Sequence, residues 1–499
     1  EVLLNPLSLS YYLIPITYLD PLLITRIHYN NLDFFLVYLT ISSYVCAMMS
    51  NFLPSRLVSA LKNDFNINAE EFIASHELGE QVTSIRINPF KPTDQFKNLA
   101  HIPWCKEGYY LNTRPVFTLD PLFHAGTYYV QEASSMFIAH VIRALEIDQH
   151  PLIALDLCAA PGGKSTLLNS TLHADSLLIA NEIIKTRVQI LANNLTKWGN
   201  SNTIVSHNDP ASFNRLPGFF DLLLVDAPCS GSGMFRKDPQ SITEWSEDAV
   251  KLCSQRQQRI LADSLSTLKE EGILIYSTCS YSMEENENIA DWLIDQHGLQ
   301  NIPIPIDSSW GIEETKSSKH HALGYRFYPS KVKGEGLYVS CFVKKSNQHT
   351  FSKKRIKTDT IRLDNSLLND WITPNAAIDT IPFKDDVLLI PKQYSVEFQS
   401  IKNVLYLKKA GTILGKINRN ALLPNHELAL SNLKSDNIQR IELSLEDALQ
   451  YLRKADIPNN TTKAGWALAC YQDYALGWVK VLANRINNYY PKEWRIVNL

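Results

Sequence analysis

A chain of 499 residues is too long for one hydrophobic core and implies about three domains. With 45% hydrophobic and 20% charged residues, its composition excludes large-scale disorder, and a formal net charge of -3 does not announce a nucleic-acid binder, although local basic patches stay open to it. Eight cysteines stand at positions 46, 105, 158, 229, 253, 279, 341 and 470; they form no CxxC pair and no Cys/His metal spacing, so zinc is disfavoured and a reducing cytoplasm suits them. Cys46, Cys105, Cys253, Cys341 and Cys470 read as small buried hydrophobes.

Residues 1–48 carry an uncharged run, Phe34-Phe35-Leu36-Val37-Tyr38-Leu39, that resembles a leader or anchor. It is shorter than the roughly 20 apolar residues a spanning helix needs, so no membrane role is expected and the stretch reads as a non-core extension. Helical spacing follows at 54–65 and 69–76, then a short strand at 83–89 stopped by Pro89. These elements make 49–150 a small mixed α/β module that ends in a helix entered through 128–136. From 151 to 345 strands alternate with helices: 152–157, 177–181, 203–206, 222–226 and 273–278 are the strands. That rhythm predicts an α/β fold with a Rossmann-like, doubly wound, mostly parallel sheet. Residues 336–343 add an antiparallel edge strand. A basic linker spans 346–370, and a smaller β-rich module occupies 371–499, where 465–469 and 476–481 pair as a hairpin.

Three of the predicted strands close on short motifs: Asp156-Leu157-Cys158-Ala159-Ala160-Pro161-Gly162-Gly163-Lys164, Asp226-Ala227-Pro228-Cys229-Ser230-Gly231 and Ser277-Thr278-Cys279-Ser280. An open α/β sheet binds ligands beyond the carboxyl ends of its strands, so the three converge on one cleft. At the first motif Pro161-Gly162-Gly163 turns the chain into a helix whose amides face the ligand. The run Gly163-Lys164-Ser165-Thr166 imitates a phosphate loop, but that loop requires glycine where Cys158 stands. Glu182 and Asp209 follow the next two strands, placed for ribose hydroxyls and an adenine edge. Acids in series and no G-x-G-x-x-G fingerprint favour S-adenosylmethionine over a dinucleotide.

With Ser230-Gly231-Ser232-Gly233-Met234-Phe235-Arg236-Lys237-Asp238-Pro239, Gln255-Arg256-Gln257-Gln258-Arg259-Ile260-Leu261, Tyr276-Ser277-Thr278-Cys279-Ser280 and Glu285-Asn286-Glu287-Asn288, the chain resembles the RNA cytosine carbon-5 methyltransferases of the Nop2/Sun type. Within that family it is closest to the subgroup of bacterial 16S ribosomal RNA methyltransferases F. The resemblance covers residues 50 to 345, and Leu476-Gly477-Trp478 with Asn487-Asn488-Tyr489-Tyr490-Pro491 looks like the subgroup's PUA-like RNA-binding end.

The resemblance implies a class I methyltransferase domain and methylation of cytosine carbon 5 in RNA, with 16S ribosomal RNA as the expected substrate. Cys279 is then the nucleophile toward carbon 6, Cys229 the release cysteine, and Asp226 the carboxyl group facing the base. Cys158, Ala159, Ala160, Pro161, Gly162, Gly163, Lys164, Glu182, Arg187, Asp209 and Asp226 would line S-adenosylmethionine, Cys158 through its backbone and Arg187 by holding the donor or its ribose-binding acid. The target cytosine is expected to be unpaired or flipped, with Arg236 and Lys237 on RNA phosphates and Tyr128, Tyr129 and Phe235 stacking on neighbouring bases. The implied protein is a cytoplasmic monomer acting on ribosomal RNA or the small subunit. A transfer-RNA cytosine-C5 methyltransferase, a DNA methyltransferase and a silent RNA-binding assembly factor are the rivals.

Overall fold

The computed structural model describes residues 53–497 apart from 66, 78–80, 346–357, 362, 364–367, 419–420 and 459–462. The expected extension at 1–48 and the first part of the basic linker lie outside the described residues. From residue 61 onward the described residues hold together as one unit around a ten-stranded mixed sheet. Five of its strands are parallel: β1 (Ile153–Asp156), β2 (Leu177–Asn181), β3 (Thr203–Ser206), β4 (Phe220–Asp226) and β5 (Leu268–Thr278). Their spatial order is β3-β2-β1-β4-β5, so the chain winds outward from β1 in both directions.

Such strands are buried on both faces, which is why they read as continuous apolar runs: Leu222, Leu223, Leu224 and Val225 of β4 are all fully buried. Between them run α1 (Gly163–Thr171), α2 (Lys185–Trp198) and α3 (Glu247–Ser264), and α4 (Glu287–His297) follows β5. The start of α3 is local chemistry: Ser246 caps the Ala249 amide, and Glu247 and Asp248 occupy the positive end of the helix dipole.

The strand expected at the edge, β6 (Leu337–Lys344), is antiparallel to β5 as anticipated but lies in the interior. Strand Leu323–Phe327 covers its far side and is itself covered by Glu313–Lys316, while Leu299–Asn301 pairs with its end. Two-sided pairing explains why seven of the eight β6 residues are buried.

At the opposite edge, Leu407–Ala410 pairs antiparallel with β3. Helix Ser395–Val404 and strand Asp386–Pro391 pack Phe398, Ile401, Leu388 and Ile390 into the same core as Leu223, Phe213 and Phe220. The region after 371 is therefore not one separate module: its first part completes the central sheet. The β-rich end comes later, as strands Arg440–Glu442, Gly465–Tyr471, Tyr474–Val481 and Ile486–Asn488. The predicted hairpin is there, and its two-residue turn, Gln472-Asp473, takes positive φ at both positions, matching the twist of its strands.

Ahead of β1 stands a four-stranded antiparallel sheet, ordered His101–Ile102, Cys105–Tyr110, Ser84–Ile87, Tyr128–Val130. No helix among the described residues is long and apolar enough to cross a membrane.

Phe398 is fully buried between the C-terminal segment and the sheet. We expect Phe398→Ala to lower unfolding free energy by about 3–5 kcal/mol in urea denaturation, because removing a packed ring leaves a cavity. A loss below 1 kcal/mol would show that this segment merely touches the sheet.

Candidate active site

The register of β4 on β5 sets Asp226 opposite Ser277, and the hydroxyl of Ser277 donates to Asp226 Oδ1 at 2.8 Å. Both strands end there, and the loops that leave them carry Cys229 and Cys279. Their sulfurs are 3.0 Å apart, as free thiols. Lys164, the first-turn lysine of α1, reaches across from the neighbouring strand-to-helix turn and places Nζ 2.8 Å from Asp226 Oδ2. Burial opposes its charge, yet Asp226, then Cys279 and Asp156, hold the ammonium above the usual lysine range.

The loop backbones are locked to each other. Gly233 N–H donates to the Cys279 carbonyl at 2.8 Å, and a side chain at Gly233 would meet that oxygen at 2.8 Å and the Gly336 carbonyl at 2.7 Å, so only glycine permits the approach. The Cys229 thiol lies well above the ordinary thiol range, first because it is hydrogen-bonded to Cys279, then through burial and the charge of Glu285. It keeps its proton.

A second cluster surrounds the turn after β1. Gly162 takes φ 114, a left-handed conformation that opens α1. Asp156 is fully buried; its Oδ2 accepts from Ser165 Oγ at 2.6 Å, while Oδ1 has no protein partner among the described residues. Burial pushes its carboxyl up to about 7, against the Ser165 hydrogen bond and with the help of the Asp226 charge. Glu182, at the end of β2, accepts from the Ile184 amide at 2.8 Å, and Arg187 bridges it at 3.6 Å to the Ala160 carbonyl at 2.5 Å. Arg187 thus holds the acid and the glycine turn together.

Asp209 is exposed, and its carboxylate caps the 3-10 turn Pro210–Arg215 through the Ala211 amide. Asn181 ties that loop back: its side chain bonds the Asn208 backbone, Ser206 and the Leu157 carbonyl. Cys158 is half-buried with its thiol raised, chiefly by burial.

Several expectations fail here. Arg236 is no phosphate contact: its side chain is buried in an ion pair with Glu335, with Nε 3.0 Å from the carboxylate, and it also donates to the Gly334 carbonyl. Phe235 and Tyr128 are buried rather than open as stacking platforms. Tyr129 lies against the turn, its hydroxyl 3.4 Å from Asn194 Nδ2 and its ring near Gly163. Among the cysteines read as buried, 105, 341 and 470 are so, whereas Cys253 is half-exposed and Cys46 lies outside the described residues.

Three family profiles match the chain: 16S rRNA methyltransferase RsmB/F over residues 142–343, the methyltransferase RsmF PUA domain over 438–496, and the N-terminal domain of 16S rRNA methyltransferase RsmF over 53–133. Together they span well over half of the sequence. The chain belongs to the RsmB/F methyltransferase family. It is 28% identical over 468 residues to the ribosomal RNA small subunit methyltransferase F of Aliivibrio salmonicida, covering 89% of this chain and 97% of that protein. A methyltransferase homolog protein from Pyrococcus horikoshii is 30% identical, over 55% of this chain and 90% of its own, with a TM-score of 0.47. The solved structure of PH0851 shares the fold at a TM-score of 0.52 and 24% identity, over 58% of this chain and 66% of that one.

As a member of the RsmB/F family the protein is an S-adenosylmethionine-dependent RNA methyltransferase with a class I methyltransferase sheet and a C-terminal PUA domain. The residues present fit such a donor. Acids end or follow four consecutive strands of the sheet, with Glu182 placed to accept from hydroxyl groups, and among the described residues Asp156 Oδ1 has no protein partner.

Sequence reading missed the supporting residues. Ser165, Asn181, Ser277, Gln257 and Glu285 are ordinary polar types whose partners mostly lie on other elements, although Ser165 meets Asp156 only nine residues back. One signal was available: both cysteines are followed by serine, and both serines bond Glu285.

The pH dependence of stability tests the buried acid. The folded-state value of Asp156, about 7, exceeds the unfolded one, so its contribution is complete below pH 4 and is lost as pH rises toward 7. Replacing Asp156 by Asn removes that slope, a difference of at most about 4 kcal/mol across the window by linkage. Parallel stability profiles for wild type and variant between pH 4 and 7 would contradict the assignment.

Proposed function

We propose that this methyltransferase acts on carbon 5 of cytosine in RNA, with 16S ribosomal RNA as substrate, through a covalent bond to Cys279. The observation that carries the reading is the thiol pair 3.0 Å apart beside Asp226 and Lys164. Carbon 5 of cytosine is a weak nucleophile. A thiolate adding to carbon 6 pushes an electron pair onto carbon 5, and S-adenosylmethionine, when bound, supplies the methyl group that carbon 5 takes. Asp226 and charged Lys164 stand where the amino and N3 edge of the base gains charge.

Release requires loss of the carbon 5 proton and cleavage of the bond between carbon 6 and sulfur. While Cys279 is free, its hydrogen bond is the main influence that keeps the proton on Cys229. Once the Cys279 sulfur is bonded to carbon that influence falls away, and Cys229, still opposed by burial and the Glu285 charge, gives up its proton to solvent, the one proton that the whole methylation releases. It then accepts the carbon 5 proton, the electron pair returns to the ring, and the Cys279 thiolate departs. Glu182, held by Arg187, takes the ribose hydroxyls, and the Gly162-Gly163 turn receives the rest of the donor. The regions matched at 53–133 and 438–496 position the structured RNA.

Incubation with 5-azacytidine-substituted RNA and donor should trap wild-type protein covalently. Cys279→Ala should give no adduct and no 5-methylcytidine, whereas Cys229→Ala should accumulate a methylated adduct on ordinary RNA. Methylation by Cys279→Ala, or a product other than 5-methylcytidine, would refute the reading. Glu182→Ala should weaken donor-analogue binding by calorimetry roughly ten- to hundredfold, as expected for a lost charge-assisted hydrogen bond of about 1.5–3 kcal/mol; unchanged affinity would remove Glu182 from the donor site.

A further inference from the structure

The two cysteine loops meet over a single buried carboxylate. Glu285, fully buried, accepts from Ser230 N–H at 2.8 Å, Ser230 Oγ at 2.5 Å, Ser280 Oγ at 2.5 Å and Gln257 Nε2 at 3.1 Å. Ser230 and Ser280 are the residues directly after Cys229 and Cys279, so Glu285 grips each loop one residue past its sulfur. Gln257, on α3, also donates to the Pro228 carbonyl at 3.0 Å, one residue before Cys229.

The grip is unequal. The Cys279 loop has its own anchors: Asn286 accepts from Thr278 Oγ1 at 2.6 Å and donates to the Ser280 carbonyl at 2.7 Å. The Cys229 loop takes two bonds from Glu285 through Ser230 and a third indirectly through Gln257. Its other ties stand further from the sulfur: the Ala227 amide on the Ser277 carbonyl two residues before it, and Ser232 Oγ accepting from the Tyr281 amide and Gly233 N–H on the Cys279 carbonyl three and four residues after it, so loss of this carboxylate loosens Cys229 more than Cys279.

We infer that Glu285 is a positioning residue that holds the release cysteine against the nucleophile, and so governs product release more than the first methyl transfer. The inference rests on the roles given above to Cys279 and Cys229. It predicts a kinetic split that a purely structural residue would not produce: disrupting a core lowers both steps together through the folded fraction, whereas loss of this tether separates them.

Two measurements on the full chain with Glu285→Ala test it. The first needs no RNA: equilibration with oxidised glutathione, in which the two thiols become a disulfide as one oxidised glutathione becomes two reduced ones, reports the effective concentration of Cys229 toward Cys279 by mass spectrometry of the linked peptide. It should fall about tenfold or more. The second compares a single-turnover burst with steady turnover on ordinary RNA. Steady turnover should fall about tenfold or more, the burst far less, and the protein–RNA adduct should accumulate.

Unchanged thiol coupling, or burst and turnover falling equally, would overturn the inference. Methylation surviving in Cys279→Ala would instead sink the functional reading and leave the thiol-coupling result standing, so the two failures are distinguishable. Should Glu285→Ala not fold, Ser230→Ala removes one of the carboxylate's bonds to the Cys229 loop. It should produce the same split at about threefold, and Glu285→Gln, which keeps one acceptor oxygen, should recover part of the coupling.

Discussion

Backbone pairing between β4 and β5 sets Asp226 opposite Ser277, so the chain leaves the sheet at two adjacent points and each exit loop meets its cysteine within three residues. A slip of one residue would turn every side chain of one strand to the other face, carrying Asp226 away from Ser277 and Lys164. The register is secured by the apolar alternatives being worse: β4 is buried on both sides, and any shift would place Asp221 or Asp226 into the core. Packing far from the cleft therefore sets the chemistry inside it. The polar ties between the loops refine a juxtaposition that the sheet has already made.

A comparable argument runs through the N-terminal module. Arg86, on strand Ser84–Ile87, is buried, and its guanidinium donates to Gln131 at 2.9 Å, Thr166 at 2.6 Å and Ser170 at 3.3 Å while lying over the Trp198 ring. Thr166 and Ser170 belong to α1, whose first turn also carries Lys164. A buried guanidinium is costly unless its donors are used, so the module and the helix are bound to one geometry. Burial pulls the Arg86 guanidinium down to about 10, which still leaves it charged at neutral pH. The region matched to the family's N-terminal domain is thus mechanically part of the turn beneath the proposed donor site.

What was legible in the sequence is local. β1, β2, β3 and β4 declared themselves because each is an apolar run closed by a polar residue, and the loops after them follow directly. What was hidden is non-local or disguised. Arg236 after a glycine-rich loop looks like a phosphate contact until Glu335, ninety-nine residues on, is seen to neutralise it. Leu407–Ala410 carries two lysines in four residues and is not assigned as a strand from the sequence, and Lys409 is buried against Glu427 at 2.8 Å. Glu313–Lys316 alternates half-buried and exposed with no apolar face, so β6 looked like the sheet's edge when two more strands lay beyond it.

The same non-locality explains why one buried acid matters so much at the cysteine loops. Residues 228–231 and 278–280 contain little apolar surface, so packing alone cannot fix them as it fixes the strands. Hydrogen bonds must do it, and an unmet donor there would cost about 1–3 kcal/mol. A carboxylate is the economical solution, because two oxygens offer four acceptor positions and can serve an amide, two hydroxyls and an amide side chain at once. Burial raises the Glu285 carboxyl above the ordinary glutamate range, while the hydrogen bonds from Ser230, Ser280 and Gln257 pull the other way. The loops are held most firmly where those donors meet a charged acceptor, and protonation of Glu285 would replace an acceptor by a donor in a cluster already full of donors. A site that must hold two sulfurs in reach of each other, and then let one depart from a product, is served by a tether of this kind, short and polar, rather than by a packed apolar wall.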